Sequence, residues 1–161
     1  MFNIAIVTLS DTGFKGNRED KSGEEIKKLI KSLGKVVFYE ILPDELDIIS
    51  ERLAYICDNN IADLIITTGG TGFTERDITP EATKRIIERE VPGISEYIRL
   101  KGTEKSPNAI LSRGISGIRQ KTLIINLPGS VKAVRESLEF ILPVIPHALE
   151  KLKGDTRPCG D

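Results

Sequence analysis

Two kinds of hydrophobic pattern take turns along the chain. Asn3–Leu9 (NIAIVTL), Val36–Leu42, Ala62–Thr67 and Thr122–Leu127 (TLIINL) are short, mostly apolar runs. They read as buried parallel strands. Ile115–Arg119 reads as one more short strand. Helical spacing fills the intervals. Ile26, Leu29, Ile30 and Leu33 fall at i, i+3, i+4 and i+7, and Leu46, Ile49, Leu53 and Ile56 fall at i, i+3, i+7 and i+10. Val131, Val134, Leu138 and Ile141 give the last helix its apolar face.

Local signals set the predicted boundaries. Ser10–Lys21 is polar, carries Gly13 and Gly16, and reads as a long loop. Ser22 and Glu25 form a capping box, and Gly34 closes that helix as its C′ residue. Pro43-Asp44-Glu45 turns into the second helix. Thr79 as N-cap and Pro80 at N1 open a third, running to about Glu90. Pro92-Gly93 breaks it, and Ile94–Gly102 resumes. Ser106-Pro107 starts a short helix holding Ile110 and Leu111. Pro128-Gly129-Ser130 turns into the last helix, which Pro143 and Pro146 kink or restart.

Strands alternating with helices predict a three-layer α/β/α sandwich with a mostly parallel central sheet. We read residues 1–153 as one domain and 154–161 as a polar, mobile tail. Ligands of such sheets bind beyond the carboxyl ends of the strands. That rule selects Ser10–Lys21, Leu42–Glu45, Thr68–Thr79 and Pro128–Ser130. They are also the loops richest in Gly, Ser, Thr and Asp.

The chain is organised around Thr67–Glu81, TTGGTGFTERDITPE. Gly69, Gly70 and Gly72 remove Cβ atoms where a backbone must approach something closely. Their N–H groups, with that of Thr71, can converge on an anion. Arg76 and Asp77 add a cation and a carboxylate to the same loop. A tight strand-to-helix turn is the plainer reading of the glycines. The spacing is neither a Walker loop nor a dinucleotide fingerprint.

Composition narrows the chemistry. The net charge of −1 with 29% charged residues gives no bulk attraction to nucleic acid or to a membrane surface. The longest uncharged runs, such as Thr122–Val131, fall well short of the roughly 18 residues a spanning helix needs. No basic-then-apolar segment precedes Asn3, so a cytoplasmic location is expected. Cys57 and Cys159 sit in no metal or redox motif and read as reduced thiols. A single histidine, His147, nearly excludes a histidine-centred triad and reads as structural. Five Phe, three Tyr and no Trp argue against a base-stacking platform. Catalysis must rest on carboxylates, hydroxyls, Lys or Arg, and metal.

Asp44 can be an N-cap and Asp77 an Asx-turn residue. Taken together, they follow parallel strands at one sheet edge and can face one cleft. Two carboxylates beside glycine N–H groups suit Mg²⁺-assisted transfer of a phosphoryl or nucleotidyl group. Ser10, Asp11, Ser22 and Ser130 each have a capping or turn role available. Lys132 disfavours the helix dipole unless an anion binds nearby. Arg113 either reaches a phosphate or is solvated.

TLSD (Thr8–Asp11), DKSG (Asp20–Gly23), PDE (Pro43–Glu45), TTGGTGFTERDITPEAT (Thr67–Thr83), PG..E..R (Pro92–Arg99), LSR (Leu111–Arg113) and INLPGS.KA (Ile125–Ala133) follow in order. Together they resemble the MogA/MoaB family of molybdenum-cofactor biosynthesis, which is similar to the G domain of gephyrin. The resemblance covers nearly the whole chain. It implies an α/β/α sandwich that assembles as a homotrimer, or a hexamer in some MoaB members. It implies Mg²⁺-dependent transfer of AMP from ATP to molybdopterin, releasing pyrophosphate. The family's two acidic functional positions fall on Asp44 and Asp77, which would also hold the metal. Its ligand-binding elements fall on Ser10, Asp11, Gly69, Gly70, Thr71, Gly72, Ser112, Pro128, Gly129 and Ser130. Val131 stands where the family often has Pro. A molybdopterin-binding protein without turnover, or a phosphotransferase for another anionic metabolite, would use the same loops.

Overall fold

The computed structural model describes residues 1–160. Six strands form one sheet in the order β2-β1-β3-β6-β5-β4. They are β1 (Phe2–Leu9), β2 (Gly34–Leu42), β3 (Leu64–Thr68), β4 (Arg89–Glu90), β5 (Ser116–Arg119) and β6 (Thr122–Leu127). The four long apolar runs β2, β1, β3 and β6 lie side by side and parallel. The short β5 and β4 add antiparallel to their edge. Parallel pairing demands burial of both faces, which is why these runs carry apolar residues at successive positions.

The helices are α1 (Asp11–Phe14), α2 (Lys21–Leu29), α3 (Leu46–Asp58), α4 (Thr79–Ile86), α5 (Pro92–Gly102), α6 (Val131–Ile141) and α7 (Ile145–Leu152). A 3₁₀ turn spans Pro107–Leu111. On one face Ile4, Ile6, Ile66 and Ile125 pack against Ile26, Ile98, Val134, Leu138 and Leu149 from α2, α5, α6 and α7. On the other, Ala5, Val7, Ile65 and Ile124 meet Ile49, Leu53, Ile56, Ala82 and Ile86 from α3 and α4. The two apolar layers account for the period-2 split of the strands and the single apolar stripe of each helix. Cys57 lies in the second layer, and burial pushes its thiol up to about 11. No helix among the described residues is long and apolar enough to cross a membrane.

Several local expectations give way to tertiary contacts. Asp20, not Ser22, caps α2: its carboxylate accepts from Gly23 N at 3.0 Å, and Ser22 Oγ donates to it. Gly34 opens β2 instead of closing the helix before it, because Phe2 O would lie 2.2 Å from a Cβ there. The polar stretch after β1 contains the helical turn α1, capped by Ser10 Oγ accepting from Gly13 N. The helix after the glycine loop ends at Ile86, and Arg89–Glu90 joins β5. Thr79 is not its cap: the Oγ1 hydroxyl donates to Gly69 O at 3.0 Å. Beyond α7, Asp155 pairs with Lys151 and Arg157 with Glu150; the predicted tail 154–161 reaches one residue past the described ones.

The strand order reverses between β1 and β3, since α2 carries the chain to β2 on one side and α3 returns it to β3 on the other. That reversal opens a crevice at the carboxyl edge of the sheet.

Candidate active site

All four loops selected from the sequence meet at that edge. Ser10 N donates to Leu42 O at 2.9 Å, and Gly69 N to Leu127 O at 3.2 Å. Thr68 Oγ1 donates to Pro128 O at 2.8 Å. A cleft of about 710 Å³ lies at the ends of β1 and β3, walled by Ser10, Gly69, Gly129 and Ser130 and by the Arg18–Ser22 segment. A second, of about 540 Å³, lies across the Pro128–Ser130 turn. Its walls include Thr71, Gly72, Phe73, Ser112, Lys132 and Phe140. Ser130 borders both clefts, and its Oγ caps α6 by accepting from Ala133 N at 3.1 Å.

The glycines allow close packing of loop on loop. Gly69 and Gly70 have φ of +96° and +68°, in the left-handed region that glycine favours. A Cβ on Gly69 would stand 2.4 Å from Leu9 O, and one on Gly70 2.2 Å from Thr79 Oγ1. Gly129 packs against Gly69 Cα, 3.3 Å from where its own Cβ would be. The N–H groups of Gly70, Thr71, Gly72 and Phe73 meet no backbone acceptor among the described residues. Free N–H groups in a row are the donors an anion needs. Gly70→Val is therefore expected to cost roughly 3 kcal/mol through backbone strain and overpacking. A thermal midpoint lowered by about 10 °C is the expected reading; an unchanged midpoint would mean that the loop yields freely.

Asp44 and Asp77 lie beside this loop and outside both clefts. Asp44 does not cap α3: Glu45 holds the cap position without a side-chain bond, and Asp44 turns to the β1 loop. Its Oδ2 accepts from Asp11 N at 3.2 Å, while its own N donates to Asp11 Oδ1 at 3.0 Å. Asp44 Oδ1 is buried with no hydrogen-bond partner, and a Cβ on Gly70 would be 3.2 Å from it. Burial first, and the charges of Asp11 and Asp77 after it, push the Asp44 carboxyl above the usual carboxylate range. Asp77 makes no forward Asx turn. Its Oδ2 reaches back to accept from Thr74 N at 2.9 Å and Thr74 Oγ1 at 2.8 Å. A Cβ on Gly72 would lie 2.8 Å from the same oxygen.

Arg76 forks onto Asp11, with Nε at 3.1 Å and Nη2 at 3.0 Å, and reaches Glu45 at 3.0 Å. The guanidinium, and after it the Asp44 N–H, hold the Asp11 carboxyl below its ordinary range. Arg113 turns onto the glycine loop: Nε donates to Gly72 O at 2.7 Å, Nη2 to Asp77 O at 2.5 Å, and Nη1 pairs with Glu81. Ser112 lines the second cleft, and its carbonyl accepts from Arg99 at 3.3 Å. Lys132 pairs loosely with Glu136 and also borders that cleft.

Asp20 was singled out only as part of a motif, yet it organises a wall of the first cleft. It accepts from Thr8 Oγ1 at 2.7 Å, from Ser22 and Gly23, and from the Tyr39 hydroxyl. Burial opposes its charge, but the bonds from Tyr39, Gly23, Thr8 and Ser22 outweigh that and hold the carboxyl low. The signal available in sequence was a carboxylate three residues before Gly23.

The profile of a family described as a probable molybdopterin binding domain matches residues 5–147. A molybdopterin adenylyltransferase of Helicobacter pylori (strain J99) is 44% identical over 156 residues, 95% of this chain and 89% of the relative. A Thermus structure titled as the molybdopterin biosynthesis enzyme MoaB superposes with a TM-score of 0.90 at 49% identity, covering 96% of this chain and 98% of that one. MoaB of Pyrococcus furiosus, titled a tungsten cofactor synthesizing protein, gives 0.86 at 38% identity over 94% and 97%.

Proposed function

The chain belongs to the molybdopterin-binding family of molybdenum-cofactor biosynthesis, and from that membership we propose that it is a molybdopterin adenylyltransferase. ATP and molybdopterin are its substrates: an acceptor oxygen of molybdopterin bonds to the α-phosphorus as the bond to pyrophosphate breaks. The observation that carries this reading is two carboxylates set against one glycine loop whose N–H groups are free: a Cβ on Gly70 would lie 3.2 Å from Asp44 Oδ1, and one on Gly72 2.8 Å from Asp77 Oδ2. Two adjoining clefts that share Ser130 suit a reaction of two substrates.

Asp44 and Asp77 fit a Mg²⁺ ion. Both offer hard carboxylate oxygens, and Asp44 Oδ1 is a buried acceptor with nothing to accept from. Among the described residues no group of three or more His, Cys, Asp or Glu forms a metal cluster. Mg²⁺ needs only one or two carboxylates when phosphates and waters complete its shell. When bound, the ion offsets the negative charge of the phosphates. The protein's own part is positional. The Gly70–Phe73 N–H groups hold phosphate oxygens, the first turn of α6 adds its dipole, and the Asp11–Asp44 bonds fix the loops around them. Gly70→Val should accordingly lose nucleotide affinity as well as stability.

We also propose a homo-oligomer, a trimer or hexamer. Leu100 on α5, with Ile110 and Leu111 on the adjoining 3₁₀ turn, are exposed apolar side chains that support an interface. A cytoplasmic location accords with the reading.

The test is incubation of the protein with ATP, Mg²⁺ and molybdopterin, following pyrophosphate and the adenylylated pterin. Both products are expected in equal amounts. Tight molybdopterin binding without either would make it a binding protein instead.

A further inference from the structure

Arg113 lies in a segment held from behind. Arg99 Nη1 donates to Gly114 O at 2.7 Å and to Ser112 O at 3.3 Å. Ile115 N donates to Asn126 Oδ1 at 3.2 Å, and Asn126, 2% exposed, bonds to Thr67 and Thr83 in the core. From this fixed base the Arg113 main-chain N–H reaches Thr71 O at 3.0 Å. Its side chain then spreads over Gly72 O, Asp77 O and the Glu81 carboxylate. Each of the three guanidinium nitrogens meets a protein acceptor, so the group is committed to the loop and not to a ligand.

Those acceptors bracket the loop that carries Asp77. Gly72 stands at its start, Asp77 is the carboxylate residue itself, and Glu81 lies in the first turn of α4. Among the described residues the Asp77 carboxylate bonds only to Thr74, inside the same loop. Nothing in those bonds fixes the loop against the sheet. The loop's other side-chain tie runs the opposite way: Arg76, next to Asp77, forks onto Asp11 and reaches Glu45, while Thr79 N to Gly70 O is internal to the loop. Arg113 joins the loop to the β5–β6 side of the sheet through main-chain carbonyls.

We propose that Arg113 is a positioning residue for adenylyl transfer: its forked contacts to the Gly72 and Asp77 carbonyls and to Glu81 keep the Asp77 carboxylate in place against the glycine loop. The proposal rests on the adenylyltransferase reading. Its geometry explains why arginine stands here. A planar fork can hold acceptors that diverge by several ångströms, and one ammonium cannot. The charge is shared with Glu81, and the side chain is one-third exposed, so the brace is local and the core does not depend on it. Residues that orient ligating carboxylates typically change affinity or activity by about 10- to 100-fold when removed.

The test compares Arg113→Lys and Arg113→Ala with the parent protein. Steady-state pyrophosphate release should show kcat reduced at least about tenfold in both, with KM for molybdopterin and for ATP within about twofold. Lysine should not rescue. Amide exchange at Thr74 and Asp77, whose N–H groups are bonded inside the loop, should quicken in both variants, and titration with Mn²⁺ alone should show weaker binding. Parent-like kcat, a loss carried by KM, or rescue by lysine would overturn the proposal. So would failure of both variants to fold, because a local brace leaves the core intact. An inactive parent would refute the adenylyltransferase reading alone; the Mn²⁺ titration and exchange rates would then decide the brace, with parent-like values in both variants overturning it.

Discussion

Asp77→Asn is expected to lower adenylyl transfer on the order of 10²-fold or more while molybdopterin affinity stays within a few fold. The two effects separate because the residue has two oxygens with different duties. Oδ2 holds Thr74 N and Thr74 Oγ1, which fixes the turn. An asparagine carbonyl accepts the same two bonds, so the loop keeps its shape. What disappears is one negative charge from the pair proposed to hold Mg²⁺. Removing charge from a hard-cation site weakens metal binding and transition-state stabilisation together. Neither cleft is lined by Asp77, so a pterin seated in either would keep its contacts in the variant. Turnover and calorimetric titration on one preparation check both halves. Near-parental turnover would remove Asp77 from the metal site.

The architecture was legible because the strands advertise themselves. Ile4, Ile6, Ile65, Ile66, Ile124 and Ile125 sit in runs with no polar alternation, which only a sheet covered on both faces accommodates. The same logic placed the four loops at one edge, and the structure joins them by direct hydrogen bonds. Caps were less legible. Thr79 has the composition of an N-cap, but its hydroxyl is drawn to Gly69 O by a loop ten residues away. Ser22 lost the cap of α2 to Asp20, whose carboxylate also serves Thr8 and Tyr39. A local propensity cannot register a partner that only the fold brings near. Arg113 shows the same limit at the site. Read along the chain it is a free cation; in the fold its acceptors come from a loop some forty residues earlier. The glycines were legible as close-approach positions. The approaching groups are largely other loops: Leu9 O at Gly69, Thr79 at Gly70, Asp77 at Gly72.

Asp44→Ser is expected to leave the protein as stable as the parent, or more so, and to lower adenylyl transfer on the order of 10²-fold or more. The sequence offered a helix cap as the plain role for Asp44, and a serine would fill that role equally well. The structure removes it, because Asp44 makes no cap bond to α3. The main-chain bond from Asp44 N to Asp11 Oδ1 survives the substitution. The side-chain bond to Asp11 N, at 3.2 Å, is the single one lost. Against it stands the strain on the carboxylate itself. Burial and the neighbouring charges of Asp11 and Asp77 raise its pKa, so ionising this carboxyl costs more in the folded state than in the unfolded one. A raised carboxyl favours folding below its unfolded pKa and disfavours it as pH rises through the folded value. The serine variant should therefore match or exceed the parent in thermal midpoint at pH 7, and lose that advantage as pH falls through the raised folded value toward about 4. A carboxyl whose charge its surroundings oppose, with a buried oxygen left without a partner, has the signature of a site kept for function at the expense of stability. Thermal unfolding at the two pH values and a pyrophosphate-release assay decide it. Full activity in Asp44→Ser, or a large fall in its midpoint at pH 7, would return Asp44 to a purely structural part.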